Sequence, residues 1–187
     1  MKIYKNLNIN KHHKKSVVAI GNFDGIHIGH QKVLAQAKQK AKKNRLSFGL
    51  ITFEPVPVMF FNSKIKNHRI NSFIKKKNQL KKYKIDFLII LRFNKLFSLI
   101  SAEQFIKKII HSKINAKYLF VSKNFKFGRK RKGNIKTLKK FENHFGFKTI
   151  ITPPLRKSKK IISSSLIRKK ISQGKIKETN KLLGRTW

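Results

Sequence analysis

Ten residues, Gly21 to His30 (GNFDGIHIGH), hold the densest chemistry in this 187-residue chain. Two imidazoles, His27 and His30, stand three positions apart inside a frame of three glycines and one carboxylate, Asp24. Imidazole can give or accept a hydrogen bond or a proton near neutral pH, so a close pair suits work on phosphate oxygens. The apolar run Val17–Ile20 reads as a strand leading into this segment. From Ile28 onward, Ile28, Val33, Leu34 and Ala37 repeat at helical spacing. The histidines are therefore expected at a helix N-terminus, where free N–H groups and the helix dipole favour anions. Gly21, Gly25 and Gly29 are expected to let the backbone turn tightly and approach a ligand. A single His beside a turn is more often a surface or core residue. Two at this spacing point to a nucleotide-phosphate site.

Four further segments carry candidate chemistry. Ser163–Arg168 (SSSLIR) offers hydroxyl caps and free N–H groups at a helix start, with Arg168 one turn further in. That arrangement can grip a polyphosphate, although alone it would read as a Ser-capped helix with a surface Arg. Thr52–Pro57 (TFEPVP) places two prolines in a loop after a strand, with Glu54 free to cap or to pair with a lysine. Asn124–Gly128 (NFKFG) could wall a planar ring with Phe125 and Phe127 while Asn124 hydrogen-bonds to it; the same aromatics could be ordinary core. Arg69 is the single arginine of a lysine-rich stretch and a candidate for phosphate or ring contact.

These segments need a frame, and short apolar runs alternating with helical patterns predict an α/β fold. Strands are expected at 16–21, 46–53, 86–91, 118–121 and 147–152. Helices are expected at 28–44, 72–83, 102–112, 135–145, 164–173 and 176–183. The result is a five-stranded, mainly parallel sheet with helices on both faces and a C-terminal helical segment. Its first loop lies at the carboxyl end of the first strand, where open α/β sheets bind ligands. The stretches 62–71 and 123–133 read as loops, and the basic run 156–160 reads either as a connector or as a loop over the site.

Composition bounds the rest. The length suits one domain, 1–187. With no cysteine, disulfides and thiolate metal sites are excluded, which accords with a reducing cytoplasm. The longest uninterrupted apolar run, Phe87–Leu91, is strand-sized, so no membrane partner is expected. Lys and Arg number 47 against 6 Asp and Glu, a formal net charge of +41. Such charge permits non-specific association with nucleic acid. The charges are scattered, however, and only eight are arginine, the better reader of phosphate and guanine. Abundant Lys, Ile, Asn and Phe fit compositional drift at tolerant surface positions. Neither metal ligands nor an oligomeric state can be read from these features.

The tetrapeptide HIGH resembles the signature of class I aminoacyl-tRNA synthetases and nucleotidylyltransferases. The ordered series GNFDGIHIGH, TFEPVP, the Arg69 segment, YKIDFLIILRF, LISAEQFI, NFKFGRKRKGN, ISSSLIR and KLLGR is more specific. It resembles the adenylyltransferase domain of bacterial FAD synthetase over nearly the whole chain. Val56 replaces a common His, Ser165 a usual Thr, and Ser122 a common Gly. The resemblance implies a Rossmann-like nucleotidylyltransferase (HxGH) fold and transfer of AMP from ATP to FMN, with Mg²⁺. It implies His27, His30 and Arg168 as catalytic residues, and Gly21, Asn22, Phe23, Gly29, Ser164 and Ser165 as ATP-binding. Asp24, Asn124, Phe125, Phe127 and Arg69 are implied at the FMN. In the bifunctional family the LLGR segment leads into a riboflavin kinase domain; no kinase motif precedes Trp187, so adenylyl transfer alone is expected. Another acceptor, such as phosphopantetheine or nicotinate mononucleotide, is the alternative within the superfamily; a basic nucleic-acid-binding protein without catalysis is the alternative outside it.

Overall fold

The computed structural model describes residues 1–62, 64–65, 68–157 and 160–187. Six strands form one sheet: β1 (Lys2–Tyr4), β2 (Val17–Ile20), β3 (Phe48–Glu54), β4 (Phe87–Arg92), β5 (Tyr118–Ser122) and β6 (Lys148–Thr152). Their order is β1-β4-β3-β2-β5-β6, and every pairing is parallel. Parallel sheets are covered on both faces, which is why β2 (VVAI) and β4 (FLIILR) read as nearly continuous apolar runs.

The helices follow in chain order: α1 (Ile28–Lys43), α2 (Pro57–Phe61), α3 (Phe73–Lys81), α4 (Lys95–Ser98) and α5 (Ala102–Gln104), which runs on as a π-helix over Phe105–Ile114. Then come α6 (Ile135–Lys140), α7 (Glu142–Phe145), α8 (Ser164–Ser172) and α9 (Ile176–Leu183). Alternate strand residues feed two cores. Val17, Ala19, Leu50 and Leu88 face Val33, Leu34 and Ala37 of α1 and Leu80 of α3. Val18, Ile51, Ile89 and Leu119 face Phe105, Ile106, Ile109 and Ile110 of the π-helix and Leu138 of α6. Each of the buried Val, Leu, Ile and Phe side chains contributes about 1.5–3 kcal/mol. A third cluster joins Ile70 and Ile162 to Ile167 of α8 and Leu182 and Leu183 of α9, with Ile28 of α1 packed against it.

The fold class is as expected, with corrections. Among the described residues the sheet has six strands rather than five and is wholly rather than mainly parallel. The extra strand, β1, is a three-residue edge between lysines, too short to carry a period. It forms because Lys2 N–H donates to the Asp86 carbonyl (2.8 Å) and Tyr4 is buried with its hydroxyl 2.8 Å from His13 Nδ1. The single helix expected over 135–145 breaks at Phe141, where Glu142 turns to accept the Thr149 N–H at 2.7 Å. The helix expected over 102–112 extends to Ile114 and stops where Asn115 turns left-handed (φ 52°). Pro57 opens α2 rather than stiffening a loop. The basic run 156–160 contributes to two short antiparallel strands, β7 (Arg156–Lys157) and β8 (Lys160–Ile161); its positions 158 and 159 lie outside the described residues, as do 63, 66 and 67 of the loop expected over 62–71.

Gly49 shows how closely β3 and β4 pack. A Cβ there would fall 2.0 Å from the ring of Phe87, a fully buried residue. Gly49→Ala is expected to destabilise the fold by about 2–3 kcal/mol through overpacking, read as a lower urea midpoint at unchanged m-value.

Candidate active site

Sheet order reverses at β2, with β3 and β4 on one side and β5 and β6 on the other. The crevice at the carboxyl end of such a strand is where open α/β sheets bind ligands. The loop from Gly21 to His27 occupies it. Of its glycines only Gly25 has a positive φ (77°), so the expectation of tight turns at Gly21 and Gly29 is corrected. Phe23 (φ 46°) and Ile26 (φ 42°) also take left-handed conformations, which cost non-glycine residues on the order of 1 kcal/mol or more each.

Side chains from four other segments and from α1 itself hold this strained backbone through its carbonyls. Thr52 Oγ1 and Lys76 Nζ donate to Asn22 O (3.2 and 3.1 Å). Ser164 Oγ donates to Asp24 O (2.9 Å), Arg185 Nη2 to Gly25 O (2.7 Å), and Gln31 Nε2 to Ile26 O (3.0 Å). The Asp24 carboxylate accepts the Ile70 N–H (3.0 Å) and pairs with Arg168 (2.8 Å).

His27 caps α1, its Nδ1 accepting the His30 N–H at 3.3 Å. In the neutral ring the proton then sits on Nε2, leaving an N–H donor. The His30 ring stacks on it with centroids 3.7 Å apart and planes 20° apart, and Phe23 packs 5.1 Å from His30. A Cβ on Gly29 would come within 3.1 Å of the His27 ring, so the glycine between the histidines makes room for the stack. Burial pushes the His27 imidazole down to about 4 and holds His30 well below its ordinary range, with His27 and Lys76 adding to the effect. Both are neutral at pH 7. His30 Nδ1 is buried with no hydrogen-bond partner among the described residues.

The sequence-predicted residues divide into two groups. His27, His30, Phe23, Gly29, Asp24, Ser164, Ser165 and Arg168 come together around the loop, with Arg168 Nη2 reaching Ser165 Oγ at 3.4 Å. Phe125 and Phe127, stacked 5.3 Å apart, instead line a cavity of about 450 Å³ with Phe53, Phe93 and Phe97. Asn124 is exposed and outside that lining. Arg69 forms an ion pair with Glu54, which pairs with an arginine rather than a lysine. The aromatic cavity opens beside the carboxyl ends of β3, β4 and β5, the same sheet edge as the histidines.

A sequence model of the family described as FAD synthetase matches residues 9–166. The chain belongs to the FAD synthetase family. It is 42% identical over 187 residues to the bifunctional riboflavin kinase/FMN adenylyltransferase of Buchnera aphidicola subsp. Schizaphis graminum, covering 99% of this chain and 60% of that protein. It is 33% identical over 180 residues to the protein of the same name from Bacillus subtilis, covering 96% of this chain and 56% of that one. A crystal structure described as a macrolide-efflux protein from Streptococcus pneumoniae superposes with a TM-score of 0.85 at 31% identity, over 98% of this chain and 61% of that one. The chain thus spans about 60% of the length of these relatives. Among the described residues, no helix is long and apolar enough to cross a membrane.

In this member of the FAD synthetase family, residues that sequence reasoning did not single out complete the candidate site. Lys76 is, among the described residues, the one buried member of the chain's 47 lysines and arginines. Its ammonium bonds Asn22 O and Thr52 Oγ1 (3.0 Å), and burial lowers it to about 8. The signal was its place between Phe73 and Leu80 on the inward face of α3, hidden by the surrounding lysines. Gln31, which holds the loop from α1, carried no local signal, and Arg185 entered only as the last residue of the KLLGR segment, with no role given to it.

The described residues do not form a site that fits the Mg²⁺ implied by the family resemblance. Among the described residues no three His, Asp or Glu side chains cluster, and the two nearby carboxylates, Asp24 and Glu54, are each paired with an arginine.

The buried neutral histidines also set a pH dependence. The unfolded His27 takes up a proton near pH 6.5, the folded one only near 4. Stability is therefore full above pH 6.5 and falls as pH drops toward 4, by roughly 3 kcal/mol from this residue alone. Urea midpoints at pH 7.5 and 4.5 measure the loss. His27→Asn, which keeps a capping side chain, is expected to flatten the acid limb.

Proposed function

We propose that this chain transfers AMP from ATP to FMN, forming FAD and releasing pyrophosphate. Family membership supports the reaction class. The observation that carries the reading is the stacked pair of neutral imidazoles at a helix N-terminus, on the same sheet edge as a phenylalanine-lined cavity fit for a planar ring.

In this reaction an oxygen of the FMN phosphate attacks the α-phosphorus of ATP. The new bond joins that oxygen to phosphorus, and the bond from the α-phosphorus to the bridging oxygen breaks. Its electron pair leaves with pyrophosphate. The attacking oxygen is already anionic, so no general base is required, and catalysis rests on positioning and charge stabilisation. His27, with its proton on Nε2, and His30 donate to oxygens of the α- and β-phosphates. Each neutral imidazole keeps one ring N–H to donate. Ser164, Ser165 and Arg168 take the triphosphate tail at the α8 N-terminus, with Asp24 holding the guanidinium in place. Gly21, Asn22, Phe23 and Gly29 shape the nucleotide side of the loop. Phe125 and Phe127 wall the flavin, and Asn124, Arg69 and Asp24 are the polar groups assigned to the FMN. Mg²⁺ would accompany ATP and offset charge on its phosphates, while this chain's own residues position the reacting groups. Work in the cytoplasm accords with a chain free of cysteine.

Incubation with ATP, Mg²⁺ and FMN is expected to yield FAD and pyrophosphate, resolved by chromatography. Riboflavin, which lacks the attacking phosphate, is expected to give no dinucleotide. Absence of FAD with every substrate present would reject the reading. His30→Ala is expected to lower kcat about 100- to 1,000-fold while ATP affinity changes only a few-fold; wild-type turnover in that variant would remove His30 from the mechanism.

A further inference from the structure

The closing segment of the chain, Leu182–Trp187, lies beyond the residues the family model matches, yet it meets the histidine loop at several consecutive positions. Arg185 is the centre of these contacts. Its Nη2 donates to Gly25 O (2.7 Å) and to Gln79 Oε1 on α3 (3.1 Å), and its Nη1 donates to Leu183 O at the end of α9 (3.3 Å). Gln31 Nε2 repeats the bridge from the other side, donating both to Leu183 O (2.8 Å) and to Ile26 O. Trp187 Nε1 donates to Ile70 O (2.8 Å); Ile70 lies so close to Gly25 that a Cβ there would come within 2.9 Å of it, and its N–H holds Asp24. Gly184, with φ 69°, fits where a side chain would fall 2.8 Å from Ile28, the first residue of α1. The tail therefore touches or braces the loop from Asp24 to Ile28.

We propose that Arg185 is a positioning residue of the nucleotide site, acting through the Gly25 carbonyl on the placement of His27 and His30. This rests on the adenylyl-transfer reading for its kinetic consequences but not for its structural one. The peptide after Gly25 joins two residues with positive φ, and Ile26, being β-branched, is costly in that region. Such a turn persists only where surrounding contacts over-determine it. The Gly25 carbonyl is the link nearest His27 that reaches outside the loop and α1 to the tail. Without it the turn relaxes, His27 leaves its capping position, and the stack with His30 opens. Only a planar fork reaches Gly25, Gln79 and Leu183 at once, so lysine, with one compact ammonium, replaces it incompletely.

The test compares Arg185→Ala and Arg185→Lys with Lys177→Ala, an exposed change on α9 expected to behave as wild type. Ring ¹H–¹⁵N NMR of the ligand-free proteins reports the imidazoles without reference to any reaction. In folded Arg185→Ala the His27 and His30 signals are expected to move while those of the distant His144 stay. Per folded molecule, kcat/KM for ATP is expected to fall about 10- to 100-fold, with KM for ATP raised. Arg185→Lys is expected to lie between. A purely structural role would lower the folded fraction and leave KM and the ring signals of the folded molecules unchanged, which overturns the proposal. If Arg185→Ala does not fold, Arg185→Lys decides it, and unmoved His27 and His30 signals there overturn it as well. Wild-type protein that forms no FAD rejects the reaction while leaving the ring signals as the test of the strap.

Discussion

The site depends on a backbone that would not hold its shape alone. Between Gly21 and His27 the chain takes three left-handed residues, two of them large and apolar, and exposes its carbonyls to partners from other parts of the chain. Asn22, Asp24, Gly25 and Ile26 each have a carbonyl held by a side chain, from β3, α3, α8, the C-terminal tail and α1. Strain of this kind is kept only where the surroundings over-determine it. What it achieves is the position of the His27 ring, which caps α1 and forms a platform for His30.

Burial gives the pair its electrostatic character. Two imidazoles in contact and beside the Lys76 ammonium could not both be charged, and desolvation keeps them neutral. For the polyphosphate site proposed above this is unexpected, since cations would bind phosphate more strongly. Neutral donors, however, need no counter-ion when the site is empty. The fixed positive charges sit one layer out, in Arg168 paired with Asp24 and in Lys76 bonded to the loop. Anion attraction and hydrogen-bond placement are thus carried by different groups.

Much of the fold was legible in sequence because its strands are buried on both faces. Runs such as Val17–Ile20 and Phe87–Leu91 have no other reading, and capping residues such as Ser101 and Ser163 mark the helix starts. The misses have local causes. Edge strand β1 is too short to show a period, and the break at Phe141 comes from Glu142 being drawn to the Thr149 N–H, a contact set by the sheet. In the site, the histidine pair and the SSSLIR segment stood out because several unusual residues lie within a few positions. Lys76 did not, since one buried lysine among three in a row looks like its solvated neighbours.

The sequence alone determined the α/β frame, the helix that begins at the histidines and the cluster of imidazole and hydroxyl groups at its start, because each depends on residues close together in the chain. The tertiary structure decided the rest. It stacked His27 on His30 over the space left by Gly29, paired Asp24 with Arg168 144 positions away, and gathered the phenylalanines into one cavity. It also brought Arg185 onto Gly25, 160 positions back. Hydrogen bonds and packing between distant segments leave no periodic trace in sequence, and it is these that turn a strained loop into a placed pair of imidazoles.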